Sequence, residues 1–307
     1  FYGTIHGAGS FFDPNSLTRE NTLISPLADK KYQPKRFYYT DAINDHAARY
    51  LQEHKGDQPF FMYVAHTAPH WPMHALPEDI AKYKGKYDKG WEAMRKARYQ
   101  RQLKMGLIED HWKMSPKDSR APDWKDAKNK EWEIKLMEVY AAMVDRLDQG
   151  VGSIVTALKE SGEYDNTLIF FLADNGGCAE GMGRRGGTQY REKNFNEIVP
   201  MAKDALQLDM IPRRTRDGRV LKQGTEVMPG GPDTYHGYGL SWANASNTPF
   251  REYKHWVHEG GISSPLIAHW PKGIDASRHG KLESQPGHLI DLMATCVDLG
   301  KATYPKK

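Results

Sequence analysis

The stretch LIFFLADNGGCAE, Leu168 to Glu180, changes character halfway along. Leu168–Ala173 read as a strand buried on both faces, since no polar residue interrupts the apolar run. A carboxylate, a carboxamide and two glycines then arrive in a row as Asp174-Asn175-Gly176-Gly177. In an open α/β sheet, ligands bind at the carboxyl ends of strands, so the place of this quartet decides how the chain is read.

Outward from it, helix and strand signals alternate. Leu136, Tyr140, Met143, Val144, Leu147, Val151, Ile154, Val155 and Leu158 recur at steps of three and four, which predicts a helix from Leu136 to Leu158. Asp145, Arg146 and Asp148 fall on its polar side, and SGEYDN ends it before the strand Thr167–Ala173. Earlier, TDAINDHAARYLQEH opens with a candidate cap at Thr40 and repeats Ile43, Ala47, Tyr50 and Leu51 at helical spacing. A strand is predicted over Phe60–Ala65, followed by the proline-rich loop HTAPHWPMHALPED. Downstream, a strand is predicted over Pro265–Trp270. HLIDLMATCVDLG then reads as a helix with Leu289, Leu292, Met293 and Val297 on one side and Gly300 as its stop. This order is the grammar of an α/β fold. Residues 1–39 read as irregular. Residues 84–130 read as a charged, solvated helical insertion, and 178–250 as functional loops within the domain 1–307.

Composition bounds the function. The 307 residues carry a net charge of +4, without the basic excess of a nucleic-acid-binding domain. The basic run RKARYQRQLK could contact nucleic acid, but Glu109, Asp110, Asp123 and Asp126 offset it, and no nucleic-acid partner is expected. The two cysteines, Cys178 and Cys296, form no metal or disulfide spacing. No apolar run is long enough for a membrane span. The opening FYGTIHGAGSFFDP reads as sequence from the middle of a domain.

Three places could carry chemistry. Asp174 and Asn175 offer adjacent hard oxygen donors for a cation such as Ca²⁺ or Mg²⁺, followed by two glycines that let the backbone turn tightly. Asp, Asn and Gly are also common wherever a strand meets a turn. His70, between the prolines of APHWP, could face a ligand or pack within an aromatic loop, with His66 and His74 as rivals. Lys254 in YKHWVHEGG could neutralise an anionic oxygen or be an ordinary surface lysine. His255 and Glu259 make no HExxH motif, and neither a GxSxG elbow nor another nucleophile is visible.

Together FYGTIHGAGSFFDP, FFMYVAHTAPHWPMHALPEDIAKYKGKYD, YAAMVDRLDQGVGSIVTALKESGEYDNTLIFFLADNGGCAE and NTPFREYKHWVHEGGISSPLIAHWP resemble, in order, the formylglycine-dependent sulfatases. The resemblance is to bacterial arylsulfatases of the alkaline-phosphatase-like superfamily. It implies a mixed sheet sandwiched between helices, here expected to be incomplete at both ends, and an enzyme cleaving small-molecule or carbohydrate sulfate monoesters. It further implies Asp174 and Asn175 as ligands of a divalent cation, Ca²⁺ in preference to Mg²⁺, and His70 and Lys254 as catalytic, sulfate-contacting residues. A periplasmic or secreted location is implied as well.

The family's nucleophile is a formylglycine, made by a formylglycine-generating enzyme from Cys or Ser in a Cys/Ser-x-Pro/Ala-x-Arg motif. Neither Cys178 nor Cys296 stands in such a motif, and NTPFR places Asn247 at the nucleophile position. The chain is therefore expected to be an internal fragment with part of the active site and no activity alone. The alternatives are a phosphate or phosphonate monoester hydrolase of the same superfamily and a non-catalytic anion-binding protein.

Overall fold

A computed structural model describes residues 1–304. In chain order the elements are β1 (Tyr2–Thr4), β2 (Leu17–Arg19), β3 (Thr22–Leu23), α1 (Tyr39–Glu53), α2 (Pro77–Ala81), α3 (Gly90–Lys104) and α4 (Lys130–Glu160). They continue as β4 (Ile169–Leu172), β5 (Gln189–Tyr190), β6 (Lys222–Gln223), α5 (Gly239–Ser246), α6 (Glu259–Ile262), β7 (Leu266–His269) and α7 (Leu289–Leu299).

The 31-residue α4 is the spine. Of its predicted apolar stripe Leu136, Met143, Leu147 and Leu158 are buried, together with Val139, and the helix meets α1, whose Ile43, Ala47 and Leu51 are buried in turn. The two helices come close because Gly150 has no side chain. A Cβ there would lie 1.9 Å from the Asn44 amide nitrogen. That amide is itself committed, donating to the Thr40 carbonyl at 2.8 Å. Outside this contact Arg146 grips Asp41 through two bonds of 2.6 Å, a fork that fixes the relative rotation of the helices.

A second set of contacts seats α5 on the start of α4. The ring of Trp91 in α3 lies edge-to-face with Trp124 and Trp242 at 4.7 and 5.6 Å, and the Trp242 indole donates to the Glu133 carbonyl at 3.0 Å. Helix α5 thereby delivers Asn247, which follows its last residue, to the site described below.

The named strands pair antiparallel: β1-β2-β3 as a meander, β5 with β6, and β4 with β7. In the last pair Leu172 faces Leu266, so the residues after β4 emerge beside those before β7.

The structure departs from the sequence reading at several points. Residues 1–39 hold the meander β1–β3, whose strands of two or three residues are too short to show a period. Thr40 does not cap α1. The N-cap is Tyr38, and Thr40 is a buried residue inside the helix. Phe60–Ala65 is not a strand: Phe61 and Tyr63 are 79% and 82% exposed while Phe60, Met62 and Val64 are half-buried, the alternation of extended chain, but it has no ladder partner among the described residues. β4 is not buried on both faces, since its sheet has only one further strand and Phe171 is 43% exposed. Residues 84–130 are α-helical only over α3, whose Trp91 and Arg95 are buried rather than solvated. Helix α7 has the predicted span, yet none of its residues is buried, and Gly300 caps it in a right-handed rather than a left-handed conformation. No helix among the described residues is long and apolar enough to cross a membrane.

The two glycines of α4 should respond oppositely to alanine. Gly150→Ala must displace the bonded Asn44 amide and should lower stability by about 1–3 kcal/mol. Gly152→Ala meets nothing within 4 Å and should raise it by up to about 1 kcal/mol through helix propensity. Urea unfolding midpoints check both signs.

Candidate active site

The glycines after β4 are required by close approach, not by a tight turn. Gly176, Gly177, Gly260 and Gly261 all lack a positive φ. A Cβ on Gly176 would lie 1.7 Å from the Gly260 carbonyl oxygen, and one on Gly261 would lie 2.1 Å from that of Trp256. Main chain therefore meets main chain. The Gly176 N–H donates to the Gly261 carbonyl at 3.0 Å, and the Lys254 N–H donates to the Gly177 carbonyl at 3.1 Å. The β4–β7 register brings the two Gly-Gly pairs together, the second within α6, and these bonds lock them.

Asn247 braces the junction. Its Oδ1 accepts from the Gly177 N–H at 2.8 Å, and its Nδ2 donates to the Glu252 carbonyl at 2.9 Å. The residue that falls at a nucleophile-like position in NTPFR is thus engaged in holding two loops together.

On this frame His70 and Lys254, 184 positions apart, meet. His70 Nδ1–H donates to the Trp71 carbonyl at 2.9 Å, which fixes the tautomer and leaves Nε2 as an acceptor. The Lys254 ammonium donates to that Nε2 at 3.2 Å. Burial, and then the neighbouring Lys254 charge, push the imidazole pKa down, so the ring is neutral near pH 7. The rival histidines are structural. His66 bonds to Asn44 Oδ1 at 2.9 Å, and fully buried His74 accepts from the Phe11 N–H and donates to the Thr234 carbonyl. Burial pushes each down to about 4.

Asp174 is exposed, yet near enough to act on the His70 charge. Asn175 Nδ2 donates to the Gly176 carbonyl at 3.0 Å, which leaves Oδ1 as the outward acceptor. Both are hard oxygen donors, the kind a divalent cation such as Ca²⁺ takes. No group of three or more His, Cys, Asp or Glu placed to hold a metal occurs among the described residues.

A third group, which no motif in the sequence signals, is Glu180. Its Oε2 accepts from the Trp71 indole at 2.5 Å and from the Cys178 thiol at 3.1 Å, while Oε1 lies 3.4 Å from His255 Nε2. Burial alone would raise the carboxyl pKa, but these donors and the Lys254 charge outweigh it and bring it down to about 2. The Cys178 thiol is pushed up to about 11 by burial and by that carboxylate. It is a held thiol, not an activated one.

The sulfatase family pattern matches residues 2–302 of the chain. An uncharacterized sulfatase of Schizosaccharomyces pombe is 30% identical over 99% of this chain and 52% of its own length. The arylsulfatase of Klebsiella aerogenes is 28% identical over 86% of this chain and 51% of its own. The chain thus spans about half the length of these relatives. Among solved structures, that of Ps i-CgsB in complex with k-i-k-neocarrahexaose aligns with a TM-score of 0.48 and 24% identity, covering 90% of this chain and 37% of that one.

The held thiol has a direct test. Alkylation of Cys178 by iodoacetamide, followed by mass spectrometry, should be slow at pH 8 and climb with pH through about 11. A rate that levels off near pH 9, as for an ordinary cysteine of pKa about 8.5, would contradict the Glu180 contact.

Proposed function

The chain belongs to the sulfatase family, and on that premise we propose that His70 and Lys254 are the sulfate contacts of a sulfuric ester hydrolase of the arylsulfatase type. The observation that carries the reading is the 3.2 Å approach of Lys254 Nζ to His70 Nε2, beside Asp174 and at the end of β4. Two nitrogens converging on one point suit a tetrahedral anion.

Each side chain has a part. Lys254 offers its ammonium to the sulfuryl oxygens, whose negative charge grows as the ester bond breaks. His70 presents only Nε2 to the ligand, because Nδ1–H is committed to the Trp71 carbonyl. Near pH 7 Nε2 carries no proton of its own, so it can donate to the departing ester oxygen only after taking one up, and the adjacent Lys254 charge then favours giving that proton up. Asp174 and Asn175 would hold Ca²⁺ through carboxylate and amide oxygens. A bound divalent cation supplies further positive charge for the sulfuryl oxygens.

Substrates are sulfate monoesters of small molecules or carbohydrates. Family membership also supports a formylglycine nucleophile, a formylglycine-generating enzyme as partner, and a periplasmic or secreted location, all proposed for the whole protein. Within the 307 residues no Cys or Ser stands in the modification motif.

In the active whole protein, His70→Ala and Lys254→Ala should each lower kcat/KM for an aryl sulfate by about two orders of magnitude or more. His66→Ala should change it less than about threefold, because that ring faces Asn44. An aryl phosphate assayed alongside should be the poorer substrate; the reverse preference would favour a phosphatase. Losses below about threefold at both His70 and Lys254 would remove them from the site.

Asp174→Ala should lower bound Ca²⁺ measured by elemental analysis, and an unchanged metal content would exclude Asp174 as a ligand. Residues 1–307 expressed alone should not turn over an aryl sulfate even with added Ca²⁺, since a covalent attacking group is wanting there. Turnover by them would mean that the nucleophile lies among these residues.

A further inference from the structure

We propose that Glu180 is the positioning residue of this site: its carboxylate ties the loop that carries His70 to the loop that carries Lys254 and so keeps Lys254 Nζ on His70 Nε2. The inference rests on the reading of His70 and Lys254 as the sulfate contacts.

Two independent observations point to it. The first is where the three donors to Glu180 come from. Trp71 directly follows His70, His255 directly follows Lys254, and Cys178 directly follows the Gly176-Gly177 turn. Each donor is the chain neighbour of a segment that builds the site, and they reach one carboxylate from 109 and 75 positions upstream and downstream and from two positions before it. The carboxylate touches neither His70 nor Lys254 directly, so its influence runs through their neighbours.

The second observation is backbone strain. His255 has φ 80° and Glu252 has φ 63°, both in the left-handed region that non-glycine residues rarely adopt. Each such residue is strained and relaxes unless it is held. Lys254 sits between them. Asn247 pins the upstream end by donating to the Glu252 carbonyl at 2.9 Å, and Glu180 holds the downstream end through the His255 ring at 3.4 Å. With the second restraint removed, His255 loses its side-chain hold against a return to negative φ, and only the Lys254 N–H bond to the Gly177 carbonyl still positions Lys254 against His70 from this side.

The test compares Glu180→Ala, which removes charge and acceptor together, with Glu180→Gln, which keeps an acceptor but no charge. Trp71→Phe, which keeps a ring and loses the indole N–H, serves as a second route should Glu180→Ala not fold. In the active whole protein, Glu180→Ala and Trp71→Phe should lower kcat for an aryl sulfate by about tenfold or more, with a smaller change in KM, as for a misplaced catalytic group. Glu180→Gln should recover only part of that loss, since its one amide oxygen can still accept from the Trp71 indole while its amide nitrogen cannot accept from His255.

NMR of the same proteins gives a readout that needs no turnover. The His70 imidazole should titrate lower in both Glu180 variants, since each loses the negative charge. The Trp71 indole N–H resonance should move far in Glu180→Ala and little in Glu180→Gln. Rates within about threefold of the parent for both Glu180→Ala and Trp71→Phe would overturn the proposal, as would an indole resonance unmoved in Glu180→Ala. Should the NMR changes occur in a protein that hydrolyses phosphate rather than sulfate esters, the positioning role stands and the sulfatase reading falls. Sulfate hydrolysis indifferent to all three variants leaves the sulfatase reading standing and overturns the positioning role.

Discussion

Everything at the candidate site hangs on a contact between two pieces of main chain. Gly176, at the end of β4, lies against Gly260, just before β7, with no room for a Cβ between them, and its N–H donates to the Gly261 carbonyl. Side-chain packing can be exchanged for other packing of equal volume, but a backbone-to-backbone approach has no substitute. The β4–β7 pairing sets the approach, the Gly176–Gly261 bond closes it, and the Lys254–Gly177 bond carries its geometry to the ammonium that faces His70. An error of one residue in that register would separate the two halves of the site.

Electrostatics refine what the backbone sets. Around Lys254 stand a neutral imidazole and an ionised Glu180, while the nearby thiol of Cys178 stays protonated. The Lys254 charge in turn helps hold the Glu180 carboxyl down. Lys254 is half-buried and pairs directly with no acid among the described residues, and such a partner would compete with an anionic ligand.

Much of this was legible in the sequence, for definite reasons. Helix α4 announced itself because nine apolar residues repeat at helical spacing, and β4 and β7 because short apolar runs are bounded by turn residues. His70, Lys254, Asp174 and Asn175 could each be named, but spacing left every one with a plain structural account. Only the ordered resemblance selected them, and the structure then places His70 against Lys254 with Asp174 within range. Glu180, Trp71, Cys178 and Asn247 were invisible as a group, because their relation exists only after segments far apart in the chain converge. The glycines stood out for the wrong physical reason: turning needs freedom in φ, whereas these four are needed for their missing volume. The predicted cap at Thr40 failed because packing of α1 on α4, not a side-chain cap, places the helix start.

The extended stretch Phe60–Ala65 has a consequence for how the molecule behaves in company. None of its N–H or C=O groups bonds to backbone among the described residues, and its outward Phe61 and Tyr63 are almost bare. Such a segment is adhesive: it offers a row of unspent donors and acceptors together with aromatic surface to any other extended chain. At a net charge of only +4, long-range repulsion does little to keep copies apart. Self-association through these residues would rise with protein concentration, and dilution or a competing extended peptide would act on it more strongly than salt.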